Sequence, residues 1–223
     1  IKTLIQRKIK SPEGLAKIKR EIAKNHKIPC PNNISLLKTY HEMVKNKRIR
    51  SLKTLELLLR TRPIRSLSGI VNVSVLTKPY PCPGKCLYCP IEKGIPKSYV
   101  SGEPAVERAK KLNFDPYWQT KKRIEMLELE GHPTDKIELR IVGGTWSYYP
   151  RQYQIWFVTR CFAACNAEPR RTIRRTTLKN LEKSQRLNEK VKHRIVGLSI
   201  ETRPDFITKS EIKHLRRLGT TMV

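Results

Sequence analysis

Three β-branched runs, each ending on a loop of unusual residues, constrain this chain more than any other feature. They are residues 70–77, where Val71, Val73 and Val75 alternate, residues 136–142, and residues 195–201. Such runs predict strands. Between and after them stand helix signals. Asp115 reads as an N-cap with Pro116 at the first helical position and Gly131 as the stop, bracketing a helix that carries Ile124, Met126 and Leu127. A second helix is predicted from about Arg151 to Cys165, and Thr208 with Glu211 forms a capping box ahead of Ile212, Leu215 and Leu218. Strand, loop and helix in repetition predict parallel strands with right-handed crossovers, so the fold class is α/β, either an open doubly wound sheet or part of a (βα) barrel. In both, ligands gather at the C-terminal ends of the strands. Residues 220–223 read as a further strand beginning after the helix stop Gly219, and the chain, which opens on Ile1, is expected to be a fragment at both ends.

The loop after the first strand carries the strongest chemical signal. Cys82-Pro-Gly-Lys-Cys86-Leu-Tyr-Cys89 puts three thiols within eight residues, and Pro81, Pro83 and Gly84 bend the backbone so that the sulfurs can converge. Three thiolates suit three irons of a four-iron cubane and leave the fourth open, whereas a closed zinc site or a structural cluster wants four protein ligands. The zinc alternative needs a fourth ligand from His41, His132 or a distant cysteine, and no histidine lies near the loop in sequence. Cys30, Cys161 and Cys165 lack a disulfide rhythm and are expected to be buried small hydrophobes. The second strand ends at Gly143-Gly144-Thr145, either an ordinary turn or a place where backbone approaches a ligand. The third runs into Glu201-Thr-Arg-Pro-Asp205. There a carboxylate can accept ribose hydroxyls and a guanidinium can pair with a carboxylate, unless the two only bridge neighbouring units. Asp205 reads as a turn former.

Charge adds a partner class. Lys and Arg outnumber Asp and Glu by 47 to 19, a net charge of +28, which predicts a polyanionic partner. Residues 1–65 form a basic, helical lobe with 18 Lys and Arg against 4 acids, broken by a turn at Pro29, Pro31 and Asn32. Arg60, Arg62 and Arg65 lead from it into the first strand and are the candidate RNA-binding residues. A second basic stretch, residues 170–192, reads as an insertion or a long helix. The division expected is therefore a basic helical RNA-binding lobe over 1–65 and a cluster-bearing domain over 66–223. No stretch approaches the roughly 18 apolar residues of a membrane span, and no secretory signal opens the chain, so a cytoplasmic protein without membrane partners is expected.

The cysteine spacing, with an aromatic before the last cysteine and a place after the first strand, resembles the radical S-adenosylmethionine superfamily. That resemblance implies a partial (βα) barrel, a [4Fe-4S] cluster on Cys82, Cys86 and Cys89, and S-adenosylmethionine chelated to the open iron and cleaved on reduction to a 5′-deoxyadenosyl radical. It places Tyr88 by the adenine and Gly143 and Gly144 by the methionine moiety. The superfamily often has an acid after the two glycines, where Thr145 stands here. Further segments sharpen the likeness: Arg60-Thr-Arg-Pro-Ile-Arg-Ser-Leu-Ser-Gly69, Ser101-Gly-Glu-Pro-Ala105, Phe114-Asp-Pro-Tyr117, Gly131-His-Pro-Thr-Asp-Lys136, Gly143-Gly-Thr-Trp146 and Glu201-Thr-Arg-Pro-Asp205. With the cysteine loop they resemble, in order, the catalytic-subunit family of Elongator in its stand-alone bacterial or archaeal form.

That family implies formation of 5-carboxymethyluridine at the wobble position of tRNA, with acetyl-CoA as carbon source and Lys136 as its contact. Glu201 and Arg203 complete the expected cofactor-binding set, while no residue is singled out as catalytic. The family also implies a following acetyltransferase-like domain, and leaves a homodimer and Elongator-type subunits open as partners. Two other readings compete: a radical enzyme acting on another RNA or a small molecule, and a non-catalytic basic RNA-binding module whose cysteines only hold a loop.

Overall fold

The β-branched runs form one sheet. In a computed structural model that describes residues 1–169 and 176–223, β1 (Val71–Leu76), β2 (Lys136–Val142) and β3 (Arg194–Ile200) pair in parallel in the order β1-β2-β3. Met222 adds a parallel bridge to Ser199 outside β3, where the sequence predicts a strand beginning. Strands that add one after another on the same side are the arc of a barrel, whereas a doubly wound sheet reverses its order at a switch point. Three strands in this order are what the first units of a (βα) barrel give, and the reversal of a doubly wound sheet does not occur among them.

The chain divides into two compact units, Ile1–Gly69 with Glu125–Pro133, and Ile70–Ile124 with Thr134–Val223. The first is helical. It comprises α1 (Lys2–Gln6), α2 (Pro12–His26), α3 (Asn33–Lys45) and α4 (Lys53–Leu59). Ser11 caps α2 ahead of Pro12, and Asn32 caps α3 by accepting from Ser35 N at 2.7 Å, so the Pro29-Pro31-Asn32 turn lies between two helices as expected. Leu4, Leu15, Leu37, Tyr40, Leu55 and Leu59 bury a core between them, with the Tyr40 hydroxyl accepting from Leu52 N at 2.6 Å. The segment Glu125–Pro133 is tied to the end of α4 by Thr61 N donating to Glu130 O at 2.9 Å and Arg60 Nε donating to Gly131 O at 2.8 Å.

The second unit wraps the sheet. Its helices are α5 (Pro104–Lys111), which the sequence signals did not announce, α6 (Pro116–Leu129, whose last turn falls in the first unit), α7 (Arg151–Cys165), α8 (Leu178–Asn188) and α9 (Lys209–Leu218). Val71, Val73, Val75, Ile137, Leu139, Leu198 and Ile200 are buried along the strands, and α7 is buried nearly all round. The residues between them on the strands, Asn72, Ser74, Glu138, Arg140 and Ser199, are polar and more open to solvent. A parallel strand is usually apolar on both faces, so this alternation marks one face of the arc as a lining rather than a core. Gln119 closes the outer edge of β1, its amide exchanging both hydrogen bonds with the Leu76 backbone at 3.0 and 2.9 Å.

Some local expectations fail on burial. Met126 and Ile212 sit on predicted apolar stripes but are 45% and 49% exposed, because the buried stripe of each helix is narrower than its apolar pattern. Cys30, expected inside, is exposed in the turn between α2 and α3, while Cys161 and Cys165 are buried in α7. Of the basic stretch 170–192, residues 170–175 lie outside the described residues, and 178–188 form α8. Among the described residues no helix is long and apolar enough to cross a membrane.

Candidate cofactor site at the strand ends

Three loops meet at the C-terminal ends of β1, β2 and β3, and backbone bonds stitch them together. Gly144 N donates to Lys97 O at 3.1 Å, Trp146 N to Glu201 O at 3.0 Å, and Ser147 N to Thr202 Oγ1 at 3.2 Å. Thr77, buried just past β1, donates from its hydroxyl to Gly143 O at 2.9 Å and lies 2.9 Å from the Tyr149 hydroxyl, which in turn donates to Lys78 O at 2.8 Å. Tyr149 is stacked between Tyr80 and Tyr153, at centroid distances of 4.8 and 5.0 Å. Burial pushes the Tyr149 phenol up to about 12, so it stays a donor throughout the ordinary pH range. Hydrogen bonds and ring stacking thus tie the rim together.

Glycine is required at one of these junctions. Gly143 has φ of +115°, and a Cβ there would meet Thr77 Oγ1 at 2.5 Å and both Leu76 and Pro96 at 3.2 Å. Gly143→Ala is expected to lose about 2–4 kcal/mol of stability in urea unfolding, since strain and overlap add. An unchanged midpoint would show that the turn can adopt another path.

The three loop cysteines are free thiols, and each sulfur has a different neighbour. Cys82 Sγ lies 3.1 Å from Thr145 Oγ1, Cys86 Sγ accepts from Arg203 Nη1 at 3.2 Å, and Cys89 Sγ lies 3.3 Å from Ser98 Oγ. Burial works against the Cys82 thiolate, but the Thr145 hydroxyl, the Gly84 backbone and the charges of Lys97 and Arg203 together hold its thiol below the ordinary value. Among the described residues no three His, Cys, Asp or Glu side chains are drawn together as a ligand set. The donor chemistry nevertheless fits a cluster with three cysteine ligands: three unpaired sulfurs on one short loop, flanked by two cations that favour thiolates. Burial instead pushes Cys161 up to about 12 and raises Cys165 as well, which leaves those two inert.

The other candidates divide. Gly143, Gly144, Glu201 and Arg203 lie on the same rim as the cysteine loop. Glu201 accepts from the Tyr99 hydroxyl at 3.1 and 3.0 Å and from Gly143 N at 3.4 Å. Arg203 is paired with Asp205, Nε to Oδ1 and Nη2 to Oδ2 both at 2.9 Å, so Asp205 orients a guanidinium in addition to turning the chain. Tyr88 is 90% exposed on the cysteine loop. Lys136 opens β2 and is exposed, at the far end of the strand from Gly143, a separation of roughly 20 Å along an extended chain. In the helical unit Arg62 is exposed, whereas Arg65 Nη1 donates to Glu130 Oε2 at 2.9 Å and Arg60 to the Gly131 carbonyl.

Sequence reasoning did not find Tyr99, Lys97 or Arg140. A cavity of about 390 Å3 on the polar face of the arc is lined by Ser74, Tyr99, Arg140, Ser199 and Glu201, among others. The signal for Arg140 was present in the alternation of Lys136, Glu138 and Arg140 along β2, and it reads as a polar lining once the strand is known to be parallel.

The fold is of the α/β class of the partial radical S-adenosylmethionine (βα) barrel, preceded in sequence by a basic helical lobe. No family model matches the chain. Over 217 residues it is 42% identical to a Methanocaldococcus infernus protein named tRNA uridine(34) acetyltransferase, covering 94% of this chain and 38% of the relative. A Dehalococcoides mccartyi protein of the same name is 43% identical over 159 residues, 71% of this chain and 33% of the relative. Elongator complex protein 3 of Danio rerio is 34% identical over 177 residues, 73% of this chain and 30% of the relative. The solved structure of the archaeal Methanocaldococcus infernus Elp3 with an N-terminal deletion superposes with a TM-score of 0.51 at 39% identity, covering 69% of this chain and 27% of that one. The chain is a homologue of these Elongator complex protein 3 and tRNA uridine(34) acetyltransferase proteins, and it spans 38% of the length of the first.

Proposed function

We propose that the chain is the cluster-bearing part of a radical S-adenosylmethionine enzyme that modifies the wobble uridine of tRNA. The observation that carries this is the meeting, on one rim, of three free cysteines, the Gly143-Gly144 turn and the Glu201 carboxylate. In this reading Cys82, Cys86 and Cys89 hold a [4Fe-4S] cluster, which when bound supplies one-electron reduction of S-adenosylmethionine. Gly143 and Gly144 offer backbone that a methionine moiety can approach, and Glu201, held by Tyr99, accepts ribose hydroxyls. Burial and the neighbouring Glu201 charge push the Tyr99 phenol up, so Tyr99 remains the donor of that pair. Arg203 lies against the cysteine loop, and Tyr88, exposed on it, is the side chain assigned to the adenine.

The product proposed is 5-carboxymethyluridine, with acetyl-CoA as carbon source. The names of the homologues support tRNA and an acyl donor as substrates. Lys136 as the acetyl-CoA contact then serves a part of that molecule remote from the cysteine rim, given its place at the start of β2. Residues 1–65 are the proposed tRNA-binding lobe and 66–223 the proposed radical domain, in a cytoplasmic protein. The reduced, iron-loaded chain is expected to convert S-adenosylmethionine to 5′-deoxyadenosine, quantified by chromatography. Loss of S-adenosylmethionine without 5′-deoxyadenosine, or no turnover in a fully loaded protein, would remove the radical assignment.

A further inference from the structure

Each sulfur of the cysteine loop meets one polar side chain, and the three come from different segments: Thr145 past β2, Arg203 past β3, and Ser98 on the return of the loop itself. We propose that Thr145, Arg203 and Ser98 are outer hydrogen-bond donors, one to each cluster thiolate, that fix the three sulfurs and raise the reduction potential of the cluster they hold. The inference rests on the cluster reading above and deepens it.

Two features argue against chance contact. Arg203 is aimed by Asp205, which takes its Nε and Nη2 and leaves Nη1 for Cys86 at 3.2 Å. The guanidinium lies directly on Gly84, where a Cβ would overlap Nη1 and approach Cζ at 3.1 Å, so the bare backbone of Gly84 is what admits it. Thr145 is buried at 4% exposure in the turn that Gly144, Trp146 and Ser147 stitch to the neighbouring loops. Its hydroxyl can donate to a thiolate, which an acid at the same place would repel.

Reduction adds negative charge to a cluster and its sulfurs. A donor on a sulfur therefore stabilises the reduced form more than the oxidised one, and outer donors of this kind are known levers on potential. Loss of one charge-assisted bond is expected to shift the redox equilibrium roughly tenfold, or about 59 mV for a one-electron couple. Arg203, which carries a full charge, is expected to matter most. All three are positioning residues that act through the cysteines.

The test is an EPR-monitored potentiometric titration of the anaerobically reconstituted full chain, with bound iron measured in parallel, for the parent, Thr145→Val, Thr145→Ser, Arg203→Gln, Arg203→Lys and Ser98→Ala. The expected result is a midpoint shifted to more negative values by about 59 mV in Thr145→Val and by at least that in Arg203→Gln. Thr145→Ser, which keeps the hydroxyl, holds the parental potential, and Arg203→Lys falls between. Equal midpoints for the Val and Ser variants overturn the proposal whatever the Arg203 variants do, and if Arg203→Gln loads no iron the Thr145 pair decides alone. A parent chain that binds no iron defeats the cluster reading itself, and the donor set falls with it.

Discussion

Replacing any one of Cys82, Cys86 or Cys89 by Ala is expected to remove essentially all reconstituted iron, while Cys30→Ala, Cys161→Ala and Cys165→Ala keep the parental content. Two thiolates cannot hold a cubane that already leaves one iron open, so the loss is all or nothing rather than one third. The other three cysteines lack what ligation requires. Cys30 lies in the helical unit's turn, and Cys161 and Cys165 are wholly buried with thiols pushed up by that burial. Truncating the buried pair is expected to cost only about 1 kcal/mol each in packing. Iron and sulfide assays on the six single mutants give the answer, and full loading of Cys86→Ala would withdraw the cluster assignment.

The second large effect is on RNA. An interface of about six phosphate contacts is expected to lose roughly a thousandfold in tRNA affinity between 50 and 200 mM salt, because each neutralised phosphate releases counterions. Binding of this kind is largely insensitive to anticodon sequence, since phosphate contacts position without specifying. The three arginines proposed as contacts are not equivalent. Arg62 is exposed, so Arg62→Glu is expected to lower the salt slope by about 1 without harming the fold.

Arg65 instead neutralises Glu130, whose side chain is 7% exposed. Arg65→Glu would set two carboxylates against each other, and for a pair with one partner a third exposed the loss is about 1–3 kcal/mol. Reversal of Arg60, Arg62 and Arg65 together should therefore weaken binding far more than the cysteine mutations, but part of that loss will be unfolding of the helical unit. Circular dichroism beside a filter-binding salt series separates the two. Parental affinity in a folded Arg62→Glu variant would mean that this arginine meets solvent, not phosphate.

Local chemistry was legible in the sequence, and long-range arrangement was not. Residues 136–142 and Arg151–Cys165 form as the patterns predict, and Asp115 and Thr208 cap as their neighbours require, because alternation and capping act within a few residues. The order β1-β2-β3 could not be read from the same signals, since a barrel and a doubly wound sheet share the strand-loop-helix unit. Burial of Met126, Ile212 and Cys30 failed for a related reason: an apolar residue on a helix or in a turn meets the core only if another element covers it. Tyr99 and Thr145 gained roles from partners 102 and 63 positions away, contacts that only the meeting of strand ends creates, whereas Asp205 holds Arg203 two residues away within one turn. Lys136 is the opposite case, because the direction of β2 already placed it away from Gly143.

In the proposed function the strand-end cysteines hold a cluster with one open iron for S-adenosylmethionine. Its most direct test is the EPR spectrum of the reduced, reconstituted chain before and after S-adenosylmethionine is added. The expected result is a four-iron signal whose shape changes as the cofactor binds, and a Glu201→Gln variant that needs more cofactor to reach the same change. A reduced cluster whose spectrum is indifferent to S-adenosylmethionine at saturating concentration would contradict it.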